Sequence, residues 1–377
     1  MHACQPRMPT KNANQRWQRC QTVCNLEGPD GRLDRRYLLP LLSSFLALPA
    51  LAAPEDDLPR RFAPAAAPWE GIRKPVATWE LEGGVKMPIL ALNTVDLSVE
   101  GTERAVALAL KYGITHIDFH PGIERDGVAA ALASGVDPSS LFLTTKIKKP
   151  QNGISPAAAA KMAQEQIAED LSALGLDAVD MLMLRDSTDC EVMRAQWKVL
   201  EGARAAGQCR AIGVVNFCQS ALECLLKTAE IKPSVNYFML HAGMGPDAHG
   251  LRTFGEKIGI RTFAYGAIGE PAPSEQLLSS KTVRKISNAH QRTPVEVCVK
   301  WALQSGVAVS VRPTSDFALG RGPERAGIVV RAGIKQRAEL FNWSLTGDEM
   351  AKLDEMTAPD GNPTLFSSDG CPGNFQL

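Results

Sequence analysis

Three charged residues stand where predicted β-strands end. Asp118 and Lys146 each close a short apolar run, and Arg185 directly follows a third. If these runs form neighbouring parallel strands, the three side chains meet at the carboxyl edge of one sheet. A carboxylate beside two cations can hold or move a proton and can stabilise a developing negative charge. We therefore take Asp118, Lys146 and Arg185 as candidate catalytic residues.

The elements that must position these residues alternate regularly along the chain. Short runs rich in β-branched residues alternate with stretches of helical periodicity, which is the pattern of βαβ units. The predicted strands are Ile89–Thr94, Ile114–Asp118, Leu141–Lys146, Val179–Leu184, Ala211–Val215, Ser234–Tyr237, Arg261–Tyr265 and Val307–Arg312. The predicted helices include Thr102–Lys111, Ala157–Leu174, Val192–Ala206, Gln219–Ala229 and Pro294–Gln304. Glycines that favour a left-handed helix cap precede several strands, at Gly113, Gly175, Gly207, Gly259 and Gly306.

The number and length of these units predict a single-domain α/β fold, a (β/α)8 TIM barrel. An open doubly wound sheet is the alternative, but no Gly-x-Gly-x-x-Gly motif follows the first strand. Two short alternating segments around Gly83-Gly84 predict an N-terminal β-hairpin before the barrel. Because barrel enzymes use the carboxyl ends of their strands, Asn216 and Tyr265 join the candidate residues of the mouth.

Composition and charge limit the partners of the protein. The chain has 377 residues, 45% of them apolar, which excludes disorder along its whole length. Its 41 basic and 41 acidic side chains give zero net charge, so we expect no nucleic-acid partner. Nine cysteines form no dense pattern and no paired Cys-x-x-Cys motifs, so we expect mostly reduced thiols and no metal site. We expect a small-molecule substrate and a monomer.

The N-terminal segment has the composition of a targeting signal. Residues 1–25 contain basic side chains and no acid, which is typical of a transit peptide, and Arg35-Arg36 then precede an apolar run ending near Ala50-Leu51-Ala52. That run is shorter than the about 20 apolar residues of a membrane span. We expect a targeting region at 1–52 (a transit segment plus a twin-arginine-like signal), a linker at 53–77, the barrel at 78–360 and a tail at 361–377. The expected location is a plastid and its thylakoid lumen; secretion or a membrane anchor is the alternative.

Several short motifs occur in a fixed order along the chain. They are Gly84-Val85-Lys86-Met87-Pro88, Gly113-Ile114-Thr115-His116-Ile117-Asp118, Leu141-Phe142-Leu143-Thr144-Thr145-Lys146, Leu174-Gly175-Leu176-Asp177, Gly213-Val214-Val215-Asn216-Phe217 and Lys232-Pro233-Ser234-Val235-Asn236. Together they resemble the aldo-keto reductase family, over about Gly83 to Asp354. The resemblance implies a hairpin-plugged barrel that holds NADP(H) across its mouth and delivers a hydride to a carbonyl carbon.

The resemblance also assigns catalytic roles. In the family an Asp, a Tyr, a Lys and a His surround the carbonyl oxygen, and the Tyr donates the proton. By position Asp118 matches the Asp and Lys146 the Lys. The Tyr is expected about five residues beyond Asp118, where Ile123 stands, and Arg185 stands in place of the His. Only four tyrosines occur in the chain, and each is accounted for elsewhere, so we expect none of them to be this acid.

The expected cofactor is NADP(H). Three residues match the family's nicotinamide pocket, its carboxamide-binding Asn and its ring-stacking Tyr: Thr94, Asn216 and Tyr265. Tyr237 stands where the family has a carboxamide-binding Gln. Arg312 replaces the family's phosphate-binding Lys and can still bind a 2′-phosphate with two hydrogen bonds. Extra residues follow Arg312, including the near-repeat 325–330 and 331–336.

Two hypotheses remain open at this stage. The first is an NADP(H)-dependent reductase of aldehydes or other carbonyl compounds with an altered acid, whose turnover is weak because a general acid contributes about 10²–10⁴-fold in rate. Arg185 would stabilise the alkoxide, and Lys146 or His120 would donate the proton. The second is an inactive barrel retained for ligand binding or protein interaction, in which Arg185 pairs with Asp118.

Overall fold

The computed structural model describes residues 75–187, 189–245, 247, 250–269, 274–313 and 333–356. The targeting region, nearly all of the linker, residues 314–332 of the segment after Arg312 and the C-terminal tail fall outside these residues. The predictions for those segments therefore stay predictions.

Ten strands and eleven α-helices occur in the described residues. The strands are β1 (Thr78–Leu81), β2 (Val85–Pro88), β3 (Leu90–Asn93), β4 (His116–Asp118), β5 (Phe142–Lys146), β6 (Val179–Arg185), β7 (Cys209–Val215), β8 (Val235–Met239), β9 (Arg261–Tyr265) and β10 (Ala308–Val311). The helices are α1 (Val99–Lys111), α2 (Ile123–Ala133), α3 (Pro156–Leu174), α4 (Cys190–Ala205), α5 (Gln219–Leu226), α6 (Leu251–Ile258), α7 (Ser274–Ser279), α8 (Lys281–His290), α9 (Pro294–Gln304), α10 (residues 333–338) and α11 (Gly347–Asp354).

Eight parallel strands close into a barrel in the order β10-β3-β4-β5-β6-β7-β8-β9. The predicted (β/α)8 barrel is thus confirmed, as is the hairpin, in which β1 pairs antiparallel with β2. Each predicted strand lies within a few residues of an observed one, and β9 has the predicted bounds. Among the described residues, no helix is both long enough and apolar enough to cross a membrane.

Local sequence signals explain where the helices begin and end. Ser155 caps α3 by accepting a hydrogen bond from the Ala158 backbone, and Gly175 ends that helix at φ 66°. Thr293 and Glu296 form a capping box at the start of α9. Such caps satisfy the backbone groups that a helix end leaves unpaired, so each helix stops where the next strand must start.

Two layers of buried apolar side chains stabilise the barrel. One lies inside it, where Met87 of the hairpin packs with inward side chains such as Phe142 and Phe263. The other lies between the strands and the surrounding helices. Because the hairpin fills the end of the barrel where the strands start, the opposite end, where the strands finish, is the one available for a ligand. His116 is part of the inner packing: it contacts Phe142 and its Nδ1 lies 2.8 Å from the Pro88 carbonyl oxygen.

The expectation of mostly reduced thiols is wrong for one pair. Cys190, at the start of α4, and Cys224, in α5, form a disulfide with their Cα atoms 6.1 Å apart. The two residues are 34 positions apart in the chain, so only the packing of α4 against α5 brings them together. Cys209 and Cys298 are free and buried.

Candidate active site

Asp118 and Lys146 form a buried ion pair at the carboxyl ends of neighbouring strands. Because Asp118 pairs with Thr144 in the register of β4 and β5, Lys146 lies two residues further along, on the same inward face. Lys146 Nζ donates to Asp118 Oδ1 and, at 3.3 Å, to the Phe119 carbonyl oxygen. Both side chains are 0% exposed. A buried charge is tolerated only when it is paired, so each residue stabilises the charged form of the other.

Three further side chains connect Asp118 to other strands. Tyr237, on β8, donates its hydroxyl to Asp118 Oδ2 at 2.7 Å, and Ser310, on β10, donates to the same oxygen at 2.6 Å. Asn93, on β3, donates to the Tyr237 hydroxyl at 3.2 Å. Tyr237, which the resemblance places at the position of a carboxamide-binding Gln, therefore contacts the Asp118–Lys146 pair through Asp118. Tyr237 is 119 positions from Asp118, and closure of the barrel brings the two together.

Burial and charge set the protonation states of this network. Burial alone would raise the pKa of Asp118, but the charge of Lys146 and hydrogen bonds from Lys146 and Ser310 outweigh it and hold that pKa below its usual value. Burial lowers the pKa of Lys146, and the charge of Arg185 lowers it further, against the opposing charge of Asp118. Burial and the neighbouring Asp118 carboxylate raise the pKa of Tyr237 well above its usual value. The Tyr237 hydroxyl therefore keeps its proton and directs it at Asp118.

His120 and Glu124 form a second acid–base pair beside the first. His120 lies two residues beyond β4, and its Nδ1 is 3.0 Å from Oε2 of Glu124, in the first turn of α2. The same oxygen accepts the His120 backbone N–H at 3.0 Å and the Thr94 hydroxyl at 3.1 Å. Thr94, a predicted cofactor residue, is thus buried and bonded to Glu124. No sequence signal pointed to Glu124, because its contacts depend on how α2 packs against the end of β3.

Arg185 lies at the end of β6 with a partly exposed side chain. Its charge is one of the causes that lower the pKa of Lys146, and it acts against the burial that raises the pKa of Tyr265 to about 12. Among the described residues, the ion-pair partner of Asp118 is Lys146 rather than Arg185. The Arg185–Asp118 ion pair of the second hypothesis is therefore not formed, and Lys146 and Arg185 lie at the same end of the barrel, where β5 and β6 finish.

The geometry can be compared with known proteins. The profile of the Aldo/keto reductase family matches residues 91–357, which includes all eight barrel strands except the first residue of β3. The chain belongs to the aldo/keto reductase family. It is 32% identical to an aldo-keto reductase of Mycobacterium tuberculosis (strain ATCC 25618 / H37Rv) over 270 residues, which is 71% of this chain and 86% of that protein. It is 30% identical to morphine 6-dehydrogenase of Pseudomonas putida over 288 residues, which is 73% of this chain and 90% of that protein.

A solved structure supports the same assignment. The aldo/keto reductase from Brucella melitensis superposes with a TM-score of 0.62 at 25% identity, covering 74% of this chain and 99% of that chain. The residues by which this aldo/keto reductase departs from the expected pattern lie at the mouth. Ile123, at the position expected for the tyrosine, begins α2 with a side chain that is 63% exposed.

The residues that would hold a nicotinamide lie at the same mouth. Tyr265 ends β9, and its hydroxyl donates to Asn216 Oδ1 at 3.0 Å, just beyond β7. Asn216 has φ 60°, a strained conformation for a residue other than glycine, which asparagine tolerates better than most. The bond from Tyr265 fixes the Asn216 amide with its oxygen toward Tyr265 and its Nδ2 available to a carboxamide oxygen. An aromatic ring and an oriented amide fit a nicotinamide in this aldo/keto reductase.

Arg312, the predicted phosphate-binding residue, directly follows β10. Its guanidinium donates to Asp96 Oδ2 at 2.7 Å, and Asp96 has φ 65° in the loop after β3. A phosphate bound here would share or displace this contact with Asp96. Residues 314–332, which follow Arg312 closely in the chain, lie outside the described residues. Asn216 and Tyr265 therefore fit the nicotinamide end of NADP(H). At the phosphate end, the Arg312 guanidinium that would bind the 2′-phosphate is already paired with Asp96.

Proposed function

We propose that this protein reduces a carbonyl group of a small molecule, such as an aldehyde, with NADPH. The observation that carries the proposal is that the residues that would hold the nicotinamide lie next to the Asp118–Lys146 pair. The ring centroids of Tyr265 and Tyr237 are 5.0 Å apart, and the Tyr237 hydroxyl reaches Asp118 at 2.7 Å. A ring stacked on Tyr265 would therefore lie near the Asp118–Lys146 pair.

Each of the chain's own groups has a definite task in this proposal. NADPH supplies the hydride that the carbonyl carbon receives. Lys146 and Arg185 place two positive charges where the carbonyl oxygen becomes an alkoxide, and preorganised charge of this kind stabilises the transition state. Asp118 holds Lys146 in place, while Asn216 and Tyr265 orient the nicotinamide. A guanidinium cannot release a proton near neutral pH, so the role of Arg185 is electrostatic.

We propose that turnover is slow compared with the rest of the family. Ile123 and Arg185 replace the groups that the family uses to protonate and orient the substrate. A positioned general acid contributes about 10²–10⁴-fold, and its replacement by a less well placed donor costs part of that factor.

A second candidate function is ligand binding without turnover. One observation favours it: Asp118, Lys146 and Tyr237 are almost fully buried, and the Asp118 oxygens already accept from Lys146, Tyr237 and Ser310. When the polar groups of a network all form hydrogen bonds with one another, none of them is available to bind a substrate. In that case the barrel would bind a cofactor or a protein partner and the chemistry would be lost.

Binding and turnover measured in sequence distinguish the two functions. The purified full chain is titrated with NADPH while the cofactor fluorescence is followed, and NADPH oxidation is then measured against a panel of aldehydes. Binding with slow turnover supports the reductase. Binding without turnover supports the second function, and failure to bind NADPH contradicts the cofactor proposal.

We also propose that the protein acts as a monomer outside the reducing cytosol, after export through its N-terminal region to a plastid compartment such as the thylakoid lumen. The Cys190–Cys224 disulfide supports an oxidising compartment, because cytosolic thiols are kept reduced. A fluorescent protein fused to residues 1–52 should enter plastids. If Arg35 and Arg36 are changed to Lys, that fusion should stop in the stroma, and entry into the secretory pathway instead would contradict the proposal.

A further inference from the structure

Apart from Tyr265, whose hydroxyl donates to Asn216 Oδ1 at 3.0 Å, the mouth contains four groups that could donate a proton to an alkoxide, and three of them are poorly suited. The Lys146 ammonium is 0% exposed and already donates to Asp118 and Phe119. Tyr237 is 3% exposed and directs its proton at Asp118. Arg185 carries a guanidinium, a group that does not act as a proton donor near neutral pH. The fourth group is His120, whose side chain is 24% exposed.

His120 is held in one orientation by Glu124. A single carboxylate oxygen, Glu124 Oε2, receives both the backbone N–H and Nδ1 of His120 at 3.0 Å each. The Thr94 hydroxyl donates to that oxygen as well, at 3.1 Å, and so fixes the carboxylate. Since Nδ1 is engaged, Nε2 lies on the opposite edge of the ring, where no described residue forms a hydrogen bond with it. A carboxylate that orients an imidazole in this way favours its protonated form.

We propose that His120, oriented by Glu124, is the general acid of this aldo/keto reductase, taking the place of the tyrosine that its loop lacks. The inference rests on the proposed carbonyl reduction. The transferred hydride forms the new C–H bond, the π electrons of the carbonyl move onto oxygen, and that oxygen takes the proton from Nε2 of protonated His120. His120 is left neutral and regains a proton from solvent. Glu124 acts as a positioning residue, and Thr94 supports it rather than the nicotinamide.

The charged groups around His120 set the pH range of this step. Glu124 faces it from α2, Asp118 from β4 and Lys146 from β5. Burial and the charge of Lys146 lower its pKa, the two carboxylates raise it, and the net result is a pKa below 6.5. The acid is active only when protonated. The rate of reduction should therefore fall as the pH rises through a value below 6.5.

The test compares the full-length wild type with His120→Gln, Glu124→Gln and His290→Gln. His290 is a matched control, because its Nε2 lies 2.8 Å from Oε2 of Glu349 in a histidine–carboxylate pair that joins α8 to α11, away from the mouth. NADPH binding, the pH profile of NADPH oxidation with an aromatic aldehyde, and the pH titration of the histidine rings by NMR without cofactor are measured for each protein.

We expect His120→Gln to bind NADPH as the wild type does, to lose about 10²-fold or more in kcat, and to lose the fall in rate with rising pH. Glu124→Gln removes the negative charge, so both the profile and the His120 ring titration should shift to lower pH. His290→Gln should change none of these. If His120→Gln does not fold, the proposal is tested by the shift of the pH profile and of the His120 ring titration in Glu124→Gln.

The outcomes separate the two proposals. Wild-type turnover with an unchanged kcat and pH profile in His120→Gln overturns the role of His120 and leaves carbonyl reduction standing. An unshifted profile and ring titration in Glu124→Gln overturn the role of Glu124. A wild type that binds NADPH but reduces no aldehyde, or that does not bind NADPH, overturns the proposed function and this inference with it.

Discussion

At the residue scale, the charge of Lys146 is what allows Asp118 to stay ionised inside the barrel. Lys146→Met removes the cation and leaves a buried carboxylate held by two hydroxyls. Breaking a buried pair in this way costs about 3–5 kcal/mol, so we expect the free energy of unfolding in urea at pH 7 to fall by that amount. Lys149→Met is the matched control. Lys149 pairs with Asp186 at 2.7 Å but is 44% exposed, and its loss should cost about 1 kcal/mol or less. Equal losses would contradict the assigned burial of the Asp118–Lys146 pair.

A second residue-scale prediction concerns Arg312 and Asp96. Asp96 competes with a bound phosphate for the Arg312 guanidinium. Asp96→Asn keeps the side-chain shape and removes the competing charge. Because a half-exposed ion pair contributes about 0.5–1 kcal/mol, NADPH should bind about two- to fivefold more tightly, while NADH, which lacks the 2′-phosphate, should bind unchanged.

Fluorescence titration of both cofactors measures this difference. Arg312→Gln should weaken NADPH binding and leave NADH binding unchanged. A similar change for both cofactors in Asp96→Asn would show that Arg312 does not contact the 2′-phosphate.

At the element scale, the close crossing of α1 and α2 sets the position of Glu124. Gly127, in α2, faces α1 so closely that a Cβ atom there would lie 2.8 Å from the Val99 carbonyl oxygen. Gly127→Ala must push the helices apart, and we expect a loss of about 1–3 kcal/mol in the free energy of unfolding. Gly202→Ala in α4 is the control: a Cβ there meets no atom within 4 Å, and better helix propensity should stabilise the protein by about 0.5–1 kcal/mol. Urea unfolding measures both, and stabilisation by Gly127→Ala would contradict the crossing.

The disulfide is a second feature at the scale of elements, since it links α4 to α5. Its partners are separated by 34 positions. Loop-closure entropy for a chain of that length predicts a loss of about 3–4 kcal/mol when the bond is reduced. Thermal unfolding with and without dithiothreitol measures this loss. The double variant Cys190→Ser and Cys224→Ala should be insensitive to the reductant, and an equally insensitive wild type would contradict the bond.

At the scale of the whole molecule, one carboxylate connects four strands of the closed barrel. Asp118, on β4, accepts from Lys146 on β5, Tyr237 on β8 and Ser310 on β10. The folded-state pKa of Asp118 lies below its unfolded value, so its contribution to stability is complete above about pH 4 and is lost as the pH falls through the folded pKa. We expect the urea midpoint to fall between pH 4 and pH 2. Asp118→Asn should make the fall of the urea midpoint less steep. An equally steep fall in the variant would show that other carboxylates, and not Asp118, cause the loss of stability at low pH.

Particular residues show how much of the fold the sequence predicted. The eight strands, the hairpin and the glycine stops could be read from periodicity, because alternation and left-handed caps are local properties of the chain. Asp118 and Lys146 were placed correctly together because parallel strands end at the same edge. The bonds of Thr94 with Glu124 and of Arg312 with Asp96 were not predicted, since each joins the ends of elements whose relative position depends on packing.

The sequence by itself determined the barrel, the family and the absence of a tyrosine from the loop after β4. The tertiary structure decided which side chains fill that space: Tyr237 bonds to Asp118, Glu124 orients His120, and Arg185 stays apart from Asp118. The physical reason is closure of the barrel. It brings inward side chains from strands far apart in the chain to a common axis, and side-chain length and packing, rather than spacing along the chain, decide which of them meet.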